Sequence, residues 1–209
     1  MVPHLNIKKA GEVLKAGGVV MHATETCYGL AADIFNEKAV KKIYKIKQMR
    51  ADKPVSIMVR GIREAQKYAE FNPAASKLAK EYWPGPLTLV LPRKDALPGF
   101  LNKNYDTVGI RCPDSKVAQA LIRANGGPLV TTSANISGKK EVYKVEDYHA
   151  QIKGRRTVSR ADLVIDDGPI GRNPPSTIIG FENGSIKMIR EGSLWVKILK
   201  KYGRKVARA

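Results

Sequence analysis

Hydrophobic and polar positions along this chain alternate between helical and extended periods. Apolar residues recur at helical spacing after Asn6, Asn36 and Pro73, and again over Lys116–Ala124. Asn6 and Asn36 are residues that cap helix N-termini well. Between the helical segments lie apolar runs of three to six residues, the length of short buried strands. The predicted strands are Val19–Thr24, Val55–Val59, Leu87–Leu91, Thr107–Cys112, Pro128–Thr132, Leu163–Ile165, Ser176–Phe181 and Ser185–Arg190.

The order of these segments predicts a mixed α/β sheet. Strands and helices alternate first, and the last two strands are joined by Glu182-Asn183-Gly184, a hairpin signal. Leu87–Leu91 is almost uniformly apolar, as in a sheet that is covered on both faces. The segment after Val19–Thr24 is predicted to be a polar turn that leads into the helix at Asn36. Alternating and hairpin-joined strands together favour a mixed sheet over a purely parallel one.

No internal repeat or linker divides the chain, so residues 1–195 are expected to form one domain. Lys139–Arg160 is charged and is predicted to be an excursion from the sheet. Val196–Ala209 carries six basic residues and no acidic one. We expect this basic tail to be a short helix or a frayed end that can contact a polyanion.

The net charge of the chain is more informative about its function than its length is. The 209 residues include 37 lysines and arginines against 19 aspartates and glutamates, which gives a net charge of +18. Solvation of an ordinary surface does not require that excess, so a nucleic-acid or nucleotide partner is favoured. A generally basic surface without such a partner is the alternative. With 43% hydrophobic residues the chain can bury a sizeable core, which excludes global disorder.

Cysteine usage and hydropathy indicate a cytoplasmic protein. Cys27 and Cys112 have no paired spacing, which argues against a disulfide scaffold or a zinc site and fits a reducing compartment. No apolar run reaches the roughly 18 residues of a membrane span. The first residues show no signal-peptide organisation, so no membrane partner is expected.

Polar clusters follow or flank the apolar strands and are the candidates for chemistry. The clusters are Thr24–Tyr28, Lys47–Lys53, Thr131–Gly138 and Ser176-Thr177, and Arg111 and Arg190 lie on strands. Hydroxyls and amides at strand ends can orient a small polar ligand, and lysine and arginine can bind phosphate. The chain has no Walker-type phosphate loop, no dinucleotide-binding glycine motif and no nucleophile elbow.

Each cluster also has a purely structural interpretation. The hydroxyl of Thr24 can satisfy turn amides, and Lys47–Lys53 can be a solvated helix end. A cysteine such as Cys27 or a histidine such as His22 is more often a buried structural residue than a catalytic one. Arg111 is less easily explained this way, because a charge on a strand needs a partner or solvent.

Separated motifs of the chain resemble those of the threonylcarbamoyl-AMP synthases, the YrdC-like family. The motifs are Thr24–Leu30, Ile46–Pro54, Val108–Pro113, Thr131–Gly138, and Ser176-Thr177 with Arg190-Glu191-Gly192, and Pro84–Thr88 is similar to the entry of the family's central strand. Their order and spacing, from about residue 6 to 194, make the resemblance specific. It implies an open, twisted mixed β-sheet with flanking helices and a positively charged concave face.

The activity that the resemblance implies is synthesis of threonylcarbamoyl-AMP and pyrophosphate from L-threonine, bicarbonate and ATP. The threonine amine captures carbon dioxide or bicarbonate as a carbamate, whose oxygen attacks the α-phosphate. Such catalysis rests on positioning and charge stabilisation. Mg²⁺ would be carried mainly by the triphosphate, so no protein metal site is expected. The product would pass to tRNA-modifying proteins that make threonylcarbamoyladenosine.

The resemblance also implies roles for individual residues. Threonine would be held by Thr26, Arg111, Thr131 and Ser176, with Arg111 on its carboxylate. The nucleotide would be held by Lys47, Lys53, Thr107, Ser133, Asn135 and Arg190. Lys47, Arg50, Ser133 and Asn135 would be catalytic, and Tyr28 would form the pocket wall.

Some positions depart from the family pattern. The run Lys47-Gln48-Met49-Arg50 displaces the usual arginine by one position, which on a helix is a turn of roughly 100°. A frequent histidine is replaced by Met58, and a frequent serine by Glu141, an unusual neighbour for phosphate. An alternative function is therefore a non-catalytic or divergent YrdC-like protein that binds double-stranded RNA or tRNA. A paralogue that makes another carbamoyl adenylate is less favoured, because the chain lacks the cysteines and length of the hydrogenase-maturation carbamoyltransferases.

Overall fold

A computed structural model describes residues 4–154, 159–182, 185–203 and 206–207. In these residues the helices are α1 (His4–Lys15), α2 (Glu37–Lys47), α3 (Ile62–Tyr68), α4 (Pro73–Tyr82), α5 (Lys116–Asn125), α6 (Val145–Ile152) and α7 (Trp195–Tyr202). The strands are β1 (Val20–Ala23), β2 (Tyr28–Asp33), β3 (Ser56–Met58), β4 (Leu87–Pro92), β5 (Thr107–Arg111), β6 (Leu129–Ser133), β7 (Leu163–Val164), β8 (Thr177–Glu182), β9 (Ser185–Arg190) and β10 (Val206–Ala207).

The described strands form one sheet in the order β10-β9-β8-β4-β5-β3-β6-β2-β1-β7. Parallel pairs such as β3–β5 and β4–β8 alternate with antiparallel pairs such as β2–β6 and β4–β5. The sheet is thus mixed, as the order of sequence segments predicted. Strand β8 returns antiparallel as β9, with Glu182 opposite Ser185, while residues 183–184 of the hairpin signal lie outside the described residues.

The prediction of a turn leading straight from β1 to the helix at Asn36 was wrong. Tyr28–Asp33 forms strand β2, which pairs antiparallel with β1 through His22 opposite Gly29. The turn itself is tight, because the Thr24 hydroxyl donates to the Cys27 carbonyl at 2.7 Å and accepts from the Cys27 amide at 3.2 Å. Six residues were therefore enough for a second buried strand before the helix.

Two further elements differ from the prediction. Helix α3 was not predicted, and α6 forms inside the charged stretch that was expected to be an excursion from the sheet. Both helices have a buried side, with Ala65 in α3 and Tyr148 in α6 packed into the main core. The few apolar residues of α3 and α6 are sufficient to stabilise these helices, because they pack against apolar residues of the sheet.

The two faces of the sheet are covered differently. One face packs against the main core, to which α2, α4 and α6 contribute. On the other face, α1 and α5 cover a smaller cluster that includes Met58 and Leu129. Cross-strand register places Arg111 opposite Met58, and Thr131 lies two residues beyond Leu129 on the same face. The apolar end of this face is therefore covered by α1 and α5, and its polar end carries the candidate site.

The N-cap of α2 forms as the sequence predicted. The side chain of Asn36 accepts from the Ala39 amide at 3.0 Å, and the helix ends where Gln48 adopts a left-handed φ of 49°. Lys47, at the last turn of this helix, is only 4% exposed. A cap at one end and a left-handed residue at the other thus fix where Lys47 enters the interior.

The first part of the predicted basic tail is the packed helix α7. Trp195 and Ile198 are buried in the main core, and Lys201 and Tyr202 contact the carboxylate of Glu81 at 2.7 Å each. Residues 204–205 and 208–209 lie outside the described residues, and the division of the chain at residue 195 stays a prediction. None of the helices in the described ranges has the length and apolar character required to cross a bilayer.

Candidate active site

A cavity of about 220 Å³ opens on the polar end of the sheet face that α1 and α5 leave uncovered. Its wall comes from the β1–β2 turn, the ends of β4, β5 and β6, the segment before β3, and the strands β8 and β9. It is lined by Thr24, Thr26, Cys27, Gly29, Pro54, Val55, Ser56, Thr88, Arg111, Thr131, Thr132, Ser133, Glu141, Pro175, Ser176, Ile178 and Arg190. Six of the predicted site residues, Thr26, Arg111, Thr131, Ser133, Ser176 and Arg190, are thus brought together.

Arg111 is fixed at one end of this cavity. Its guanidinium donates to Thr26 Oγ1 from Nη1 and Nη2 at 3.2 Å each, and Nη2 lies 2.7 Å from Glu25 Oε1. Glu25 Oε1 also accepts from the Asp114 amide at 3.1 Å. Because Arg111 is only 8% exposed, its charge needs such a partner. A rigid, planar cation beside a hydroxyl suits a carboxylate ligand.

A second group of hydroxyls lies between β4 and β8. The Thr88 and Ser176 hydroxyl oxygens are 3.1 Å apart, and Arg190 Nη2 donates to Ser176 Oγ at 2.9 Å and to its carbonyl at 2.8 Å. Strand β4 pairs in parallel with β8, and Leu87 lies opposite Thr177, which brings Ser176 to the same end of the sheet as Thr88. Arg190 therefore both holds Ser176 and lines the cavity.

Lys47 and Asn135 lie directly behind Ser133. The Lys47 ammonium donates to the carbonyls of Ser133 and Asn135, the latter at 2.9 Å, and the Ser133 hydroxyl donates to Asn135 Oδ1. Burial lowers the pKa of Lys47 to about 8, and nearby negative groups oppose this shift. An ammonium that is poorly solvated and surrounded by dipoles gains strongly from an anionic ligand.

Two other groups near the cavity are structural. His22 is fully buried with its Nδ1 3.1 Å from the Ala23 carbonyl, and burial lowers its pKa to about 4, so the ring is neutral at physiological pH. Burial raises the pKa of the Cys27 thiol, although the side chain lines the cavity. Neither residue has the protonation state of an activated nucleophile or acid. Both agree with the structural interpretation of the sequence.

Besides Lys47 and Asn135, four predicted site residues do not line the cavity. Arg50 is exposed and pairs with Asp52, its Nε lying 3.0 Å from Oδ1. Lys53 is exposed, and only its neighbour Pro54 lines the wall. Thr107 starts β5, roughly 13 Å along the strand from Arg111. The fourth is Tyr28.

Tyr28 differs from its predicted place because side chains alternate along β2. Gly29 faces the cavity, so the Tyr28 ring points into the main core. Its hydroxyl donates to the Gly168 carbonyl at 2.7 Å and accepts from the Asp167 amide at 2.9 Å. Tyr28 thereby fastens the segment after β7 rather than forming the pocket wall.

Three residues in or beside the cavity had no role in the sequence prediction although they shape its wall. Thr88 contacts Ser176, Ser56 lines the cavity next to Gly109, and Glu25, which does not line the cavity itself, fixes Arg111. Glu25 and Thr88 both lie within motifs that the sequence singled out, so their position in those motifs was the available signal. Within the described ranges, no group of three or more histidine, cysteine, aspartate or glutamate side chains could hold a metal.

The sequence and the fold also match a known protein family. The model of the Sua5/YciO/YrdC family, described as telomere recombination, matches residues 12–192. The chain belongs to the Sua5/YciO/YrdC family. Its mixed sheet with flanking helices is the fold of solved family structures. That fold confirms the architecture that the motifs implied, while a positive charge on the concave face stays a prediction.

Several members of the Sua5/YciO/YrdC family are similar over most of this chain. A protein of Methanocaldococcus jannaschii, named putative threonylcarbamoyl-AMP synthase, is 40% identical and is matched over 92% of this chain and 90% of its own length. The threonylcarbamoyl-AMP synthase of Bacillus subtilis is 37% identical over 90% of this chain, which spans only 54% of that protein. The crystal structure of Pyrococcus abyssi Sua5 with L-threonine superposes with a TM-score of 0.87 at 32% identity, covering 97% of this chain and 58% of that one.

Proposed function

We propose that this Sua5/YciO/YrdC protein is a threonylcarbamoyl-AMP synthase that uses L-threonine, bicarbonate and ATP. The observation that carries the proposal is the meeting of two groups of residues in one cavity. Arg111, Thr26 and Ser176 form an amino-acid end, and Ser133, with the Lys47 ammonium directly behind it, forms an anion end. The names of the relatives and the L-threonine complex of P. abyssi Sua5 support the same reaction.

The proposed reaction has two steps. The threonine amine attacks bicarbonate, and loss of water leaves a carbamate on the nitrogen. A carbamate oxygen then attacks the α-phosphorus of ATP, the bond to the β-phosphate oxygen breaks, and pyrophosphate leaves. The negative charge that develops on the α-phosphate oxygens is stabilised by Lys47 and Arg190. No covalent intermediate with the protein is required, which agrees with the raised pKa of the Cys27 thiol.

The residues of the cavity divide between these steps. Arg111, held by Glu25, orients the threonine carboxylate, and Thr131 and Ser176 place the amino acid. Ser133 contacts the nucleotide at the end of β6, and Asn135 and Lys47 support Ser133 from behind. The wall offers the hard oxygen donors that Mg²⁺ prefers, and the cation brought in by ATP would neutralise part of the triphosphate charge. Arg50, Lys53 and Thr107 have no role in this arrangement.

Pyrophosphate release tests the proposal. We expect release from ATP and Mg²⁺ only when both L-threonine and bicarbonate are present. Ser133→Ala should reduce the rate by about ten- to a thousandfold, because it removes a contact made to the reacting phosphate. Ser137→Ala, outside the cavity lining, is the matched control. Pyrophosphate release that is independent of threonine would overturn the proposal.

The net charge of +18 supports a second candidate function, the binding of tRNA or double-stranded RNA. It is compatible with the first, because the product of the synthase is used for tRNA modification. Free Cys27 and Cys112 suit a reducing compartment, so we propose that the protein acts in the cytoplasm. A folded protein that binds RNA but releases no pyrophosphate would make RNA binding the main function.

A further inference from the structure

Glu141 is a carboxylate that lines the candidate active site without a direct partner. The other charged side chains in the wall are Arg111 and Arg190. Arg111 is paired with Glu25 and Arg190 is bound to Ser176. Within the part of the chain that the structure describes, the Glu141 carboxylate forms no hydrogen bond and no ion pair. A partly buried carboxylate in this position requires solvent or a positively charged ligand.

The backbone on both sides of Glu141 is fixed. The Val142 carbonyl accepts from the Tyr28 amide at 2.8 Å. The Lys140 carbonyl accepts from Gln151 Nε2 at 2.9 Å. These bonds tie the segment to β2 and to α6, so the backbone that carries Glu141 is held at the cavity wall. Such support is what a ligand-binding group needs to keep its geometry.

Glu141 lines the same cavity as Ser133 and Arg190. Burial lowers the pKa of Lys47 and that of Arg190, and the negative charge of Glu141 opposes the shift in both. The carboxylate is therefore within electrostatic reach of the two cations that the proposed function assigns to the nucleotide. A bare triphosphate bound there would face a like charge, which costs affinity unless a cation lies between them.

We propose that Glu141 is the protein ligand of the divalent cation that accompanies the triphosphate. Mg²⁺ is typically bound in nucleotide sites by one or two carboxylates together with phosphate oxygens, and it keeps several waters. A single carboxylate in the wall matches that pattern without a preformed metal cage. The inference rests on the proposed function and adds to it the residue that makes the site select the metal-bound nucleotide.

The test compares the affinities of metal-bound and metal-free nucleotide. Calorimetry would use an ATP analogue with a methylene group between the α- and β-phosphates, either with Mg²⁺ or with EDTA. Wild-type protein should prefer the Mg²⁺ form, and Glu141→Gln should reduce that preference about tenfold or more. The metal-free analogue should bind Glu141→Gln as tightly as the wild type, or more tightly, because a repulsion is removed. Glu146→Gln is the matched control, since Glu146 is exposed on α6 and the change in net charge is the same.

A second measurement does not depend on affinity for the nucleotide. Electron paramagnetic resonance of Mn²⁺ bound with the same analogue should differ between the wild type and Glu141→Gln, but not between the wild type and Glu146→Gln. An identical Mn²⁺ spectrum in all three proteins, or equally strengthened binding of both nucleotide forms to Glu141→Gln, would overturn the inference. An unchanged metal preference with weakened L-threonine binding would also overturn it and assign Glu141 to the threonine amino group.

Failure of the proposed function gives a different result. In that case the wild-type protein binds neither form of the analogue, and the inference falls with the function. If the wild type binds the analogue and prefers Mg²⁺ while Glu141→Gln keeps the preference, only the inference about Glu141 is wrong.

Discussion

Arg111 shows how a buried charge can be made ready for a ligand by one neighbouring residue. Glu25 accepts at 2.7 Å from the same guanidinium that contacts Thr26, so the cation is neutralised and oriented before any ligand arrives. The cost of burying a lone arginine is thereby reduced, and the Arg111 side chain still lines the cavity. The ion pair between Arg111 and Glu25 thus fixes the position of the guanidinium as well as compensating its charge.

Replacing Arg111 by lysine tests this arrangement. Lysine cannot form the planar fork, so we expect the KM for L-threonine to rise by roughly ten- to a hundredfold, the usual effect of a charged hydrogen bond. Nucleotide affinity should change less, because the Arg111 guanidinium contacts Thr26 and Glu25 and not Lys47 or Ser133. Arg123→Lys, exposed on α5, is the control. Steady-state kinetics with threonine varied measure the effect, and an unchanged KM for threonine would contradict the assignment.

Lys47 predicts a pH dependence of nucleotide binding. Burial lowers its pKa to about 8, below the ordinary value of 10.5, so the ammonium loses its charge as the pH rises through 8. Because phosphate binds the charged form, we expect the Kd of the methylene analogue to increase by up to about tenfold between pH 7 and 9. Lys47→Met should bind weakly and without that step. The same step in Lys47→Met would show that another group titrates.

Helix α2 places Lys47 at the site. Its N-terminus is capped by Asn36 and its C-terminus by Gln48 in the left-handed conformation. The two caps fix the helix at each end, and Lys47 is the last helical residue. Small changes in where α2 stops would move the ammonium by about 1.5 Å per residue.

Loss of the N-cap should therefore be measurable. Asn36→Ala removes the acceptor for the Ala39 amide and should lower the free energy of unfolding by about 1 kcal/mol. Asn36→Asp keeps an acceptor in the same place and should stay close to the wild type. Urea unfolding followed by circular dichroism gives both values. Equal destabilisation by the two substitutions would mean that the amide nitrogen, not the capping oxygen, stabilises the helix.

Elements with strong periodicity and caps could be predicted from the sequence, including α2, α4, α5 and the strands β3 to β6. Strand β2 could not, because Tyr28–Asp33 follows a turn that is closed by side-chain hydroxyls, and its burial comes from pairing with β1 and β6. Helices α3 and α6 depend likewise on contacts with the sheet. Local patterns contain little information about stabilisation that comes from distant partners.

The same contrast between local patterns and distant contacts explains which residues of the candidate site could be predicted from the sequence. Residues on predicted strand ends, such as Arg111 and Ser133, meet because the sheet aligns those ends. Arg50 and Thr107 do not, since one pairs with Asp52 at the surface and the other starts its strand at the opposite end. Which side of a loop a long side chain takes depends on neighbours that are not adjacent in sequence.

The net charge of +18 is carried largely by side chains outside the cavity. On α7, Lys197 and Lys200 are exposed, and Lys200 borders an open groove of about 1000 Å³ between α4, β9 and α7. Lys77 lines the same groove and stacks over the ring of Tyr202 at 5.5 Å. Lys77 and Lys200 thus bring two cations to the same groove.

The second candidate function predicts that tRNA affinity falls steeply with salt. Replacing Lys197 and Lys200 by glutamate should weaken binding and reduce the slope of log K against log salt by about one unit for each phosphate that is no longer neutralised. The double change Lys8→Glu and Lys9→Glu, on exposed positions of α1, alters the net charge equally and is the control. Filter binding of tRNA at several salt concentrations would distinguish the α7 variant from the α1 control. Equal weakening in both variants would indicate attraction to the overall charge rather than to α7.

The pairing of β4 with β8 has a consequence for how the protein is made. As the chain leaves the ribosome, β4 can pair with β5 soon after both appear, but its other edge waits for β8. Until then that edge carries unpaired backbone groups, which invite association with other nascent chains. Ser176 and Arg190 arrive with the same late segment. The segment that covers this edge therefore also completes the cavity, so the edge of β4 is protected by the same step that makes the nascent protein able to bind its substrates.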